Sequence, residues 1–296
     1  MMEGMYRLIC LFVFVACHIA VQATQNQADC APAELVAGSP SSSSLAESSP
    51  PDASRPLVVV SLNMAGVTDW EEVRAGFESV REAPQADIYL LQEFVKDSSD
   101  LLGTASSSLG YHYMFSGTEK CGGDCLKGVA ILSRYPLLDQ GVLELPRNNL
   151  RFNLRCRIAL GATAETRLGP LRVYSLHLDT RINSGRRVRQ IGPVFDQAAE
   201  FNGPVLIAGD FNTANVLYIL SVVPIPFLQL QGRAVRNAMK ARGFQTPFLK
   251  TRNTFSFPPA KLDWIYLRGL EATRRGVADI EFSDHRALWA LLEKSR

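Results

Sequence analysis

Short apolar segments that end in a polar residue recur along the chain from residue 57 onward. In PVLIAGD, at 204–210, an aliphatic run stops abruptly at Asp210. An apolar run of this length between turn signals predicts a buried strand. A carboxylate at the end of such a strand needs a partner or a function, because an isolated buried charge is costly. This pattern constrains both the sheet and the chemistry at its edge.

The apolar periodicity predicts more strands than helices. Helical spacing occurs at 69–82, with Asp69 as a possible N-cap, and at 186–201 and 233–243. We therefore predict an α/β fold, a four-layer α/β sandwich in which two packed, mostly antiparallel β-sheets are flanked by helices. The predicted strands are 57–63, 87–93, 111–116, 128–134, 154–160, 171–178, 204–210, 254–257, 262–267 and 285–292.

The N-terminal part of the chain differs in composition from the rest. Residues 1–23 contain a short apolar run followed by small residues, which is typical of a secretory signal peptide. An uncleaved membrane anchor is one alternative, and lipid attachment at Cys17 is another. Residues 24–56 are rich in Ser and Pro and predict a disordered tether. A single domain is expected over 57–296, in a secreted or periplasmic protein.

The cysteines fit an oxidising compartment. In CGGDC, Cys121 and Cys125 are candidates for a small disulfide loop, because the two glycines permit a tight turn. A zinc site is the alternative, but no further Cys or His pair lies nearby in the sequence. Cys156 lies in a predicted strand and is interpreted as a buried free thiol.

Six of the apolar segments run into Asn, Asp, Glu or His. Carboxylates in such a set are the hard oxygen ligands that Mg²⁺ or Mn²⁺ prefers. Imidazoles can donate to a charged oxyanion, and a carboxylate can hold an imidazole in one tautomer. Together these groups predict attack on a phosphate ester by metal-activated water. The residues are Asn63, Glu93, His177, Asp210, Asn212, Asp263, Asp284 and His285.

Seven motifs carry a resemblance to a known family. SLNMAG, LLQEF, KGVAILSRYP, YSLHLDT, IAGDFNT, KLDWIY and SDHRAL, in this order, resemble the motifs of the endonuclease/exonuclease/phosphatase superfamily. That superfamily includes pancreatic-type deoxyribonucleases, apurinic endonucleases, neutral sphingomyelinases and inositol polyphosphate 5-phosphatases. The resemblance spans the chain from Leu57 almost to its end.

The resemblance implies a metal site. Glu93 is expected to be a direct ligand, Asn63 to lie at the same ion, and Asp284 to be a ligand of that ion or of a second one. The expected cofactor is Mg²⁺, with Mn²⁺ as the alternative, and one or two ions are bound.

The resemblance also implies catalytic roles. Asp210 orients or deprotonates the attacking water, and Asn212 binds a phosphate oxygen. His285, paired with Asp263, contacts the scissile phosphate. His177 stabilises the oxyanion or protonates the leaving group. Which residue is the general base stays open.

The substrate is less constrained by the sequence. Arg181 and Arg186 follow the His177 strand and are candidates for phosphate binding, with a solvated helix face as the alternative. The apolar segment at 216–230 is interpreted as an exposed flap that contacts a membrane surface, with an additional core helix as the alternative. The role of Asp179 stays open between the site and the scaffold.

We therefore expect an exported, divalent-metal-dependent phosphoric ester hydrolase that acts as a monomer and cleaves phosphodiesters. Its substrate is nucleic acid or phospholipid, so a secreted nuclease and a sphingomyelinase-like hydrolase both stay open. A formal net charge of only +2 argues against binding nucleic acid by bulk charge alone. A binding module that retains the fold without catalysis is the alternative.

Overall fold

The computed structural model describes residues 34–40, 55–80, 86–97, 100–148, 156–219, 223–226 and 230–295. The predicted signal peptide and most of the predicted tether lie outside the described residues, so those predictions stay untested. Residues 34–40 differ from the prediction, because they are ordered and contain a short strand that pairs with the first sheet.

The described residues contain fourteen strands and five helices. The strands are β1 (Val36–Gly38), β2 (Leu57–Asn63), β3 (Ile88–Lys96), β4 (His112–Gly122), β5 (Cys125–Ser133), β6 (Leu137–Glu144), β7 (Ile158–Thr166), β8 (Gly169–His177), β9 (Val205–Asp210), β10 (Val216–Ile219), β11 (Val223–Pro226), β12 (Asp263–Arg268), β13 (Leu270–Ala278) and β14 (Ala287–Lys294). The helices are α1 (Trp70–Ser79), α2 (Leu101–Leu109), α3 (Ser184–Gln190), α4 (Gly192–Glu200) and α5 (Gln231–Lys240).

Most of the strands form two large sheets. The seven-stranded sheet has the order β1-β4-β5-β3-β2-β14-β13, and the five-stranded sheet has the order β12-β9-β8-β7-β6. Within these sheets only two neighbouring pairs, β2–β3 and β8–β9, are parallel among the described strands. The predicted α/β fold with two mostly antiparallel sheets is confirmed.

The seven-stranded sheet is buried on both faces. Along β2, Leu57 and Val59 belong to the core between the two sheets, whereas Val58 and Val60 belong to a second core. This alternation is the period of two expected for a strand. Val73 of α1 and Leu102 of α2 belong to the second core, so these helices cover the outer face of this sheet.

The helices near the five-stranded sheet differ from their prediction in one respect. The single helix predicted over 186–201 is two helices, α3 and α4, which meet at Ile191. Pro193 lies in the first turn of α4, where its missing N–H is tolerated, whereas it would interrupt a continuous helix. The predicted N-cap of α1 is confirmed, since the Asp69 side chain accepts from the Glu72 N–H at 2.9 Å.

Some predicted segments have other structures. The predicted strand at 254–257 is a turn region in which only Phe255 forms isolated bridges. In the 216–230 segment, β10 and β11 form a two-stranded antiparallel hairpin separate from both large sheets, so the alternative of a core helix is wrong. Four elements were not predicted from the sequence: β1, β6, β13 and α2.

The structure contains the candidate disulfide of the CGGDC loop but differs from the prediction at Cys156. Cys121 and Cys125 form a disulfide at the tip of the β4–β5 hairpin. Cys156 also takes part in a disulfide, so its interpretation as a free thiol is wrong. No helix in the described part of the chain is both long and apolar enough to cross a membrane.

Candidate active site

The polar strand ends meet at one edge of the sandwich. Asn63 is the last residue of β2, which runs parallel to β3. His177 and Asp210 end the parallel strands β8 and β9 and are paired in register. Because the carboxyl ends of parallel strands lie at the same edge of a sheet, each sheet brings its polar residues to one place.

Glu93 lies at an irregularity within β3 rather than at the end of the strand. The register of β3 against β5 shifts between Gln92 and Phe94, and Glu93 has a left-handed φ of 50°. A bulge of this kind re-aims a side chain that would otherwise follow the pleat. Asn63 Nδ2 lies 3.5 Å from Glu93 Oε1, and the Lys127 ammonium forms an ion pair with the same carboxylate.

The Glu93 carboxyl is held in its ionised form. Burial raises its pKa. The hydrogen bond and charge of Lys127 and the hydrogen bond from Asn63 lower it by more, so the net pKa lies below its usual value. An ionised carboxylate of this kind is suited to bind a cation.

Asp210 lies at the centre of the site. Its Oδ1 accepts from the Asn212 N–H at 2.8 Å, and its Oδ2 accepts from Asn63 Nδ2 at 3.3 Å. The Nε2 atoms of His177 and His285 lie 3.5 Å and 3.9 Å from the same Oδ2. Burial, followed by the charge of Asp263, raises the pKa of Asp210 to about 6.

His285 and Asp263 form a buried dyad. His285 Nδ1 lies 2.9 Å from Asp263 Oδ2, which leaves Nε2 on the side of Asp210. Burial lowers the pKa of His285, but the charges of Asp263 and Asp210 and the hydrogen bond to Asp263 outweigh that effect and raise it to about 10. The imidazole is therefore protonated near neutral pH.

Two hydroxyl side chains fix the dyad. Ser283 donates to the Asn63 carbonyl at 2.7 Å and accepts from the His285 N–H at 3.0 Å. Thr254 Oγ1 accepts from the Asp263 N–H at 3.0 Å. Both partners of the dyad are therefore tied to neighbouring backbone, which limits their freedom to move apart.

Asn212 follows Asp210 in a left-handed conformation, with a φ of 50°. Its Nδ2 donates to the Leu178 carbonyl at 2.9 Å. A carboxamide carries two N–H donors, so this bond leaves a second donor for a ligand.

A cavity of about 570 Å³ opens over these groups. Asn63 and Asp263 lie beneath its lining and bond to residues that form it. Most of the predicted catalytic and metal residues line this one cavity: Glu93, His177, Asp210, Asn212, Asp284 and His285.

A buried group of three residues could hold a metal ion. Asp210, Asp263 and His285 each offer one ligand atom, and these atoms lie within 4.8 Å of one another. The metal ligands predicted from the sequence are different. Asn63 and Glu93 are neighbours, and Asp284 is exposed at the lining of the same cavity.

The two predicted substrate arginines do not join the site. Arg181 and Arg186 are exposed, and neither lines the large cavity. Their neighbour Arg187 is fully buried and donates to the carbonyls of Asp179 at 2.6 Å and Phe211 at 2.7 Å. Arg187 thus braces the segments that follow β8 and β9.

Asp179 belongs to the supporting structure. Its carboxylate accepts from Arg157 Nε at 3.1 Å and from Gln190 Nε2 at 2.8 Å, while its N–H donates to Gln190 Oε1 at 3.0 Å. The sequence motifs indicated no role for Lys127 or Arg157. For Lys127 the available signal was a basic residue directly before the apolar run GVAILS of the KGVAILSRYP motif. Arg157 had no such signal, because LRCRIAL contains Arg155 as well.

Comparison with known proteins agrees with this geometry. The chain matches the Endonuclease/Exonuclease/phosphatase family over residues 60–285. No curated protein matches the chain.

Solved structures show the same fold at low identity. An endonuclease/exonuclease/phosphatase from Beutenbergia cavernae DSM 12333 is 20% identical, with a TM-score of 0.64 over 81% of this chain and 72% of that one. The mannosyl-6-phosphatase Bt3783 from Bacteroides thetaiotaomicron VPI-5482 is 19% identical, with a TM-score of 0.58 over 80% and 99%. TDP2 from D. rerio, complexed with a single-strand DNA product, is 18% identical, with a TM-score of 0.57 over 80% and 99%.

Proposed function

The chain belongs to the endonuclease/exonuclease/phosphatase family, and on this basis we propose that it is a divalent-metal-dependent phosphoesterase that hydrolyses phosphodiesters. The observation that carries the proposal is the arrangement of Asp210 between two imidazoles, one of which is paired with Asp263. A buried base beside a protonated donor suits attack of water on a phosphate ester.

Asp210 is the residue that we propose to orient and deprotonate the attacking water. Its pKa of about 6 makes it ionised at neutral pH and a stronger base than an ordinary carboxylate. The proton passes from the water to Oδ2, the oxygen that both imidazoles face.

His285 is proposed to donate from Nε2 to a phosphate oxygen. Asp263 holds Nδ1, so the ring has one orientation and stays protonated. Asn212 offers its second N–H to another phosphate oxygen, and His177 is placed to stabilise the developing charge or to protonate the leaving group.

A bound divalent cation would polarise the phosphate and lower the pKa of a coordinated water. We propose that Glu93, Asn63 and Asp284 hold it, because Glu93 is ionised and lies at the cavity lining with Asp284. The group of Asp210, Asp263 and His285 is the competing position. We disfavour it because Asp263 Oδ2 is already paired with His285 Nδ1 at 2.9 Å, so an ion at that position would compete with the bond that orients the imidazole.

The test uses the purified chain with Mg²⁺ and with EDTA. Bis-p-nitrophenyl phosphate, plasmid DNA and sphingomyelin vesicles serve as substrates, and Asp210→Ala and His285→Ala as variants. We expect EDTA-sensitive hydrolysis of at least one substrate, lost in both variants and retained in Asp196→Ala, which changes an exposed acid on α4. Failure to hydrolyse any of the three would contradict the proposed phosphodiesterase.

Metal binding distinguishes the two ion positions and the non-catalytic alternative. Mn²⁺ affinity, measured by calorimetry, should fall in Glu93→Gln and be less affected in Asp263→Asn. The reverse order would place the ion at the buried group. A protein that binds neither Mg²⁺ nor Mn²⁺ at either position would be a binding module that keeps only the fold.

A phospholipid substrate is the second candidate, favoured by exposed apolar side chains beside the cavity. Tyr218 lines the cavity, and the next residue, Ile219, is 46% exposed. Pro258 lines it too, and the preceding Phe257 is 85% exposed. We propose that the hairpin of β10 and β11, with Phe257, contacts a membrane surface.

We also propose that the protein is exported. The apolar run within residues 1–23 and the Cys121–Cys125 disulfide both support this proposal. N-terminal sequencing of the protein recovered outside the cytoplasm should find a chain that starts near residue 24. Recovery of the intact chain from the membrane fraction would instead indicate an anchor.

A further inference from the structure

A small second cavity adjoins the candidate active site between β5 and β7. It has a volume of about 10 Å³ and is lined by Glu93, His177, Thr118, Lys127 and Arg157, among others. This volume is close to what one water needs. Glu93 and His177 also line the large cavity, so the two cavities are neighbours.

Arg157 is fixed in place but incompletely bonded. Its side chain is only 6% exposed, and Nε donates to Asp179 Oδ1 at 3.1 Å. Gln190 and Asn148 in turn donate to the other oxygen of Asp179, at 2.8 Å and 3.1 Å. Arg157 Nη2 is buried and has no hydrogen-bond partner among the described residues. A buried donor without a partner requires an explanation, because leaving it unpaired is costly.

The charge of Arg157 acts on the active site. It is among the causes that lower the pKa of Glu93, and it also lowers that of Asp210. The guanidinium is therefore close enough to influence both carboxylates. Its Nη2 hydrogen-bonds to neither of them.

Lys127 supplies a second cation at the same cavity. In the absence of other ligands its ammonium pairs with Glu93. If a divalent cation binds Glu93, as the proposed function requires, that carboxylate shares its charge with the ion, and the partly exposed Lys127 ammonium can pair with a second anion. One side of the site would then present an ammonium and a guanidinium with a free donor.

We propose that Lys127 and Arg157 form a subsite for a second phosphate group of the substrate, next to the scissile phosphate. The inference rests on the proposed function. The small cavity has room for a single oxygen atom, so one oxygen of that phosphate would take the place of a water beside Arg157 Nη2 in a charge-assisted contact. The partly exposed Lys127 ammonium offers that phosphate a second contact. The second phosphate could belong to the adjoining nucleotide of a nucleic acid or to a phosphorylated polyol headgroup, which share this chemistry.

Two matched substrate pairs test the subsite with Mg²⁺ present. Thymidine 5′-(p-nitrophenyl phosphate) is compared with its 3′-phosphorylated form, and glycerophosphoinositol with glycerophosphoinositol 4-phosphate. In the wild-type chain we expect the added phosphate to lower KM about tenfold in at least one pair, as charge-assisted hydrogen bonds allow. The pair that responds identifies the nucleotide or the polyol source.

Two variants connect that preference to the cations. Lys127→Met removes the ammonium from a partly exposed position, and Arg157→Lys keeps a charge for Asp179 while it removes Nη2. Each should reduce the KM ratio within the responding pair to about threefold or less. Lys120→Met, on the exposed tip of the same hairpin, should keep the wild-type ratio. An unchanged ratio in both variants, or no preference in the wild-type chain, would overturn the subsite.

Absence of turnover on all four substrates would count against the proposed function rather than against the subsite. Calorimetry then compares inorganic pyrophosphate with inorganic phosphate in the presence of Mg²⁺. Tighter binding of pyrophosphate that is lost in Lys127→Met supports the subsite, and equal binding of the two anions by the wild-type chain overturns it.

Discussion

Asp263, the first residue of β12, is the direct antiparallel partner of Asp210, the last residue of β9. Side chains at paired positions share one face of the sheet and lie close together. Two buried carboxylates are therefore held side by side, and His285 lies against both of them. This pairing explains why the charge of Asp263 raises the pKa of Asp210 and why the imidazole is held as a cation.

Asp210→Asn should make the stability of the protein less dependent on pH. The pKa of Asp210 is raised from 3.8 to about 6, so its favourable contribution is complete below pH 4 and is lost as the pH rises through 6. The neutral Asn side chain does not titrate, so the variant does not lose this part of its stability. In EDTA, the free energy of unfolding of the variant, relative to that of the wild type, should therefore rise by about 2 kcal/mol between pH 4 and pH 8. Urea titrations at both pH values check this, and a difference that does not change with pH would contradict it.

Asp263→Asn should reduce activity and shift its pH dependence. Without the carboxylate charge the pKa of His285 falls from about 10, so the protonated donor is lost at a lower pH. We expect kcat/KM to fall about 10²–10⁴-fold and its alkaline limb to move toward neutral pH. The rate–pH profile is the measurement, with Glu271→Gln, an exposed acid on β13, as the control. An alkaline limb that stays in place would argue against the dyad.

Arg187→Met should destabilise the fold. The guanidinium satisfies the carbonyls of Asp179, Phe211 and Ile182 inside the protein, and the variant would leave these acceptors buried without partners. We expect the free energy of unfolding to fall by about 3 kcal/mol. Arg186→Met, at the exposed neighbouring position, is the matched control and should stay within about 0.5 kcal/mol of the wild type. A specific rise in KM for Arg186→Met would restore that residue to the substrate-binding set.

Replacement of Leu217 and Ile219 by Ser should separate membrane contact from catalysis. Ile219 is exposed on the hairpin, so the loss of apolar surface weakens binding to a bilayer. Hydrolysis of sphingomyelin in vesicles should fall at least tenfold, whereas hydrolysis of a soluble diester should stay within about threefold. Asn237→Ser, at an exposed position of helix α5, is the control. Equal losses on both substrates would show that the hairpin serves the fold instead.

The sequence was most informative where an apolar run predicted a strand and a family motif lay at the end of that strand. The strand ending at Asn63 has its predicted bounds, and the strand ending at Asp210 differs by one residue. Long apolar strands leave few alternatives, because a shift in register by one residue would expose the buried face. Six predicted catalytic and metal residues therefore line one cavity, although their chemical roles stay predictions until activity is measured.

The sequence was least informative where tertiary contacts decide. The bulge at Glu93 depends on how β3 pairs with β5, which the residue period of β3 alone does not contain. Arg187 looks like its exposed neighbours Arg181 and Arg186, and only the carbonyls that surround it select it for burial. The edge strands β6 and β13 have few buried residues, so neither shows a clear apolar pattern in the sequence.

The His285–Asp263 hydrogen bond spans the two layers of the sandwich. Asp263 lies in a strand of the five-stranded sheet, and His285 directly precedes β14 of the seven-stranded sheet. The distance between the two sheets therefore sets the geometry of this proposed catalytic hydrogen bond. A core residue such as Leu90 or Ile207 touches no substrate, yet a change in its volume alters the spacing between the layers and so the length of that bond. A substitution that overpacks the core or leaves a cavity in it would then change the turnover rate while the protein is still folded.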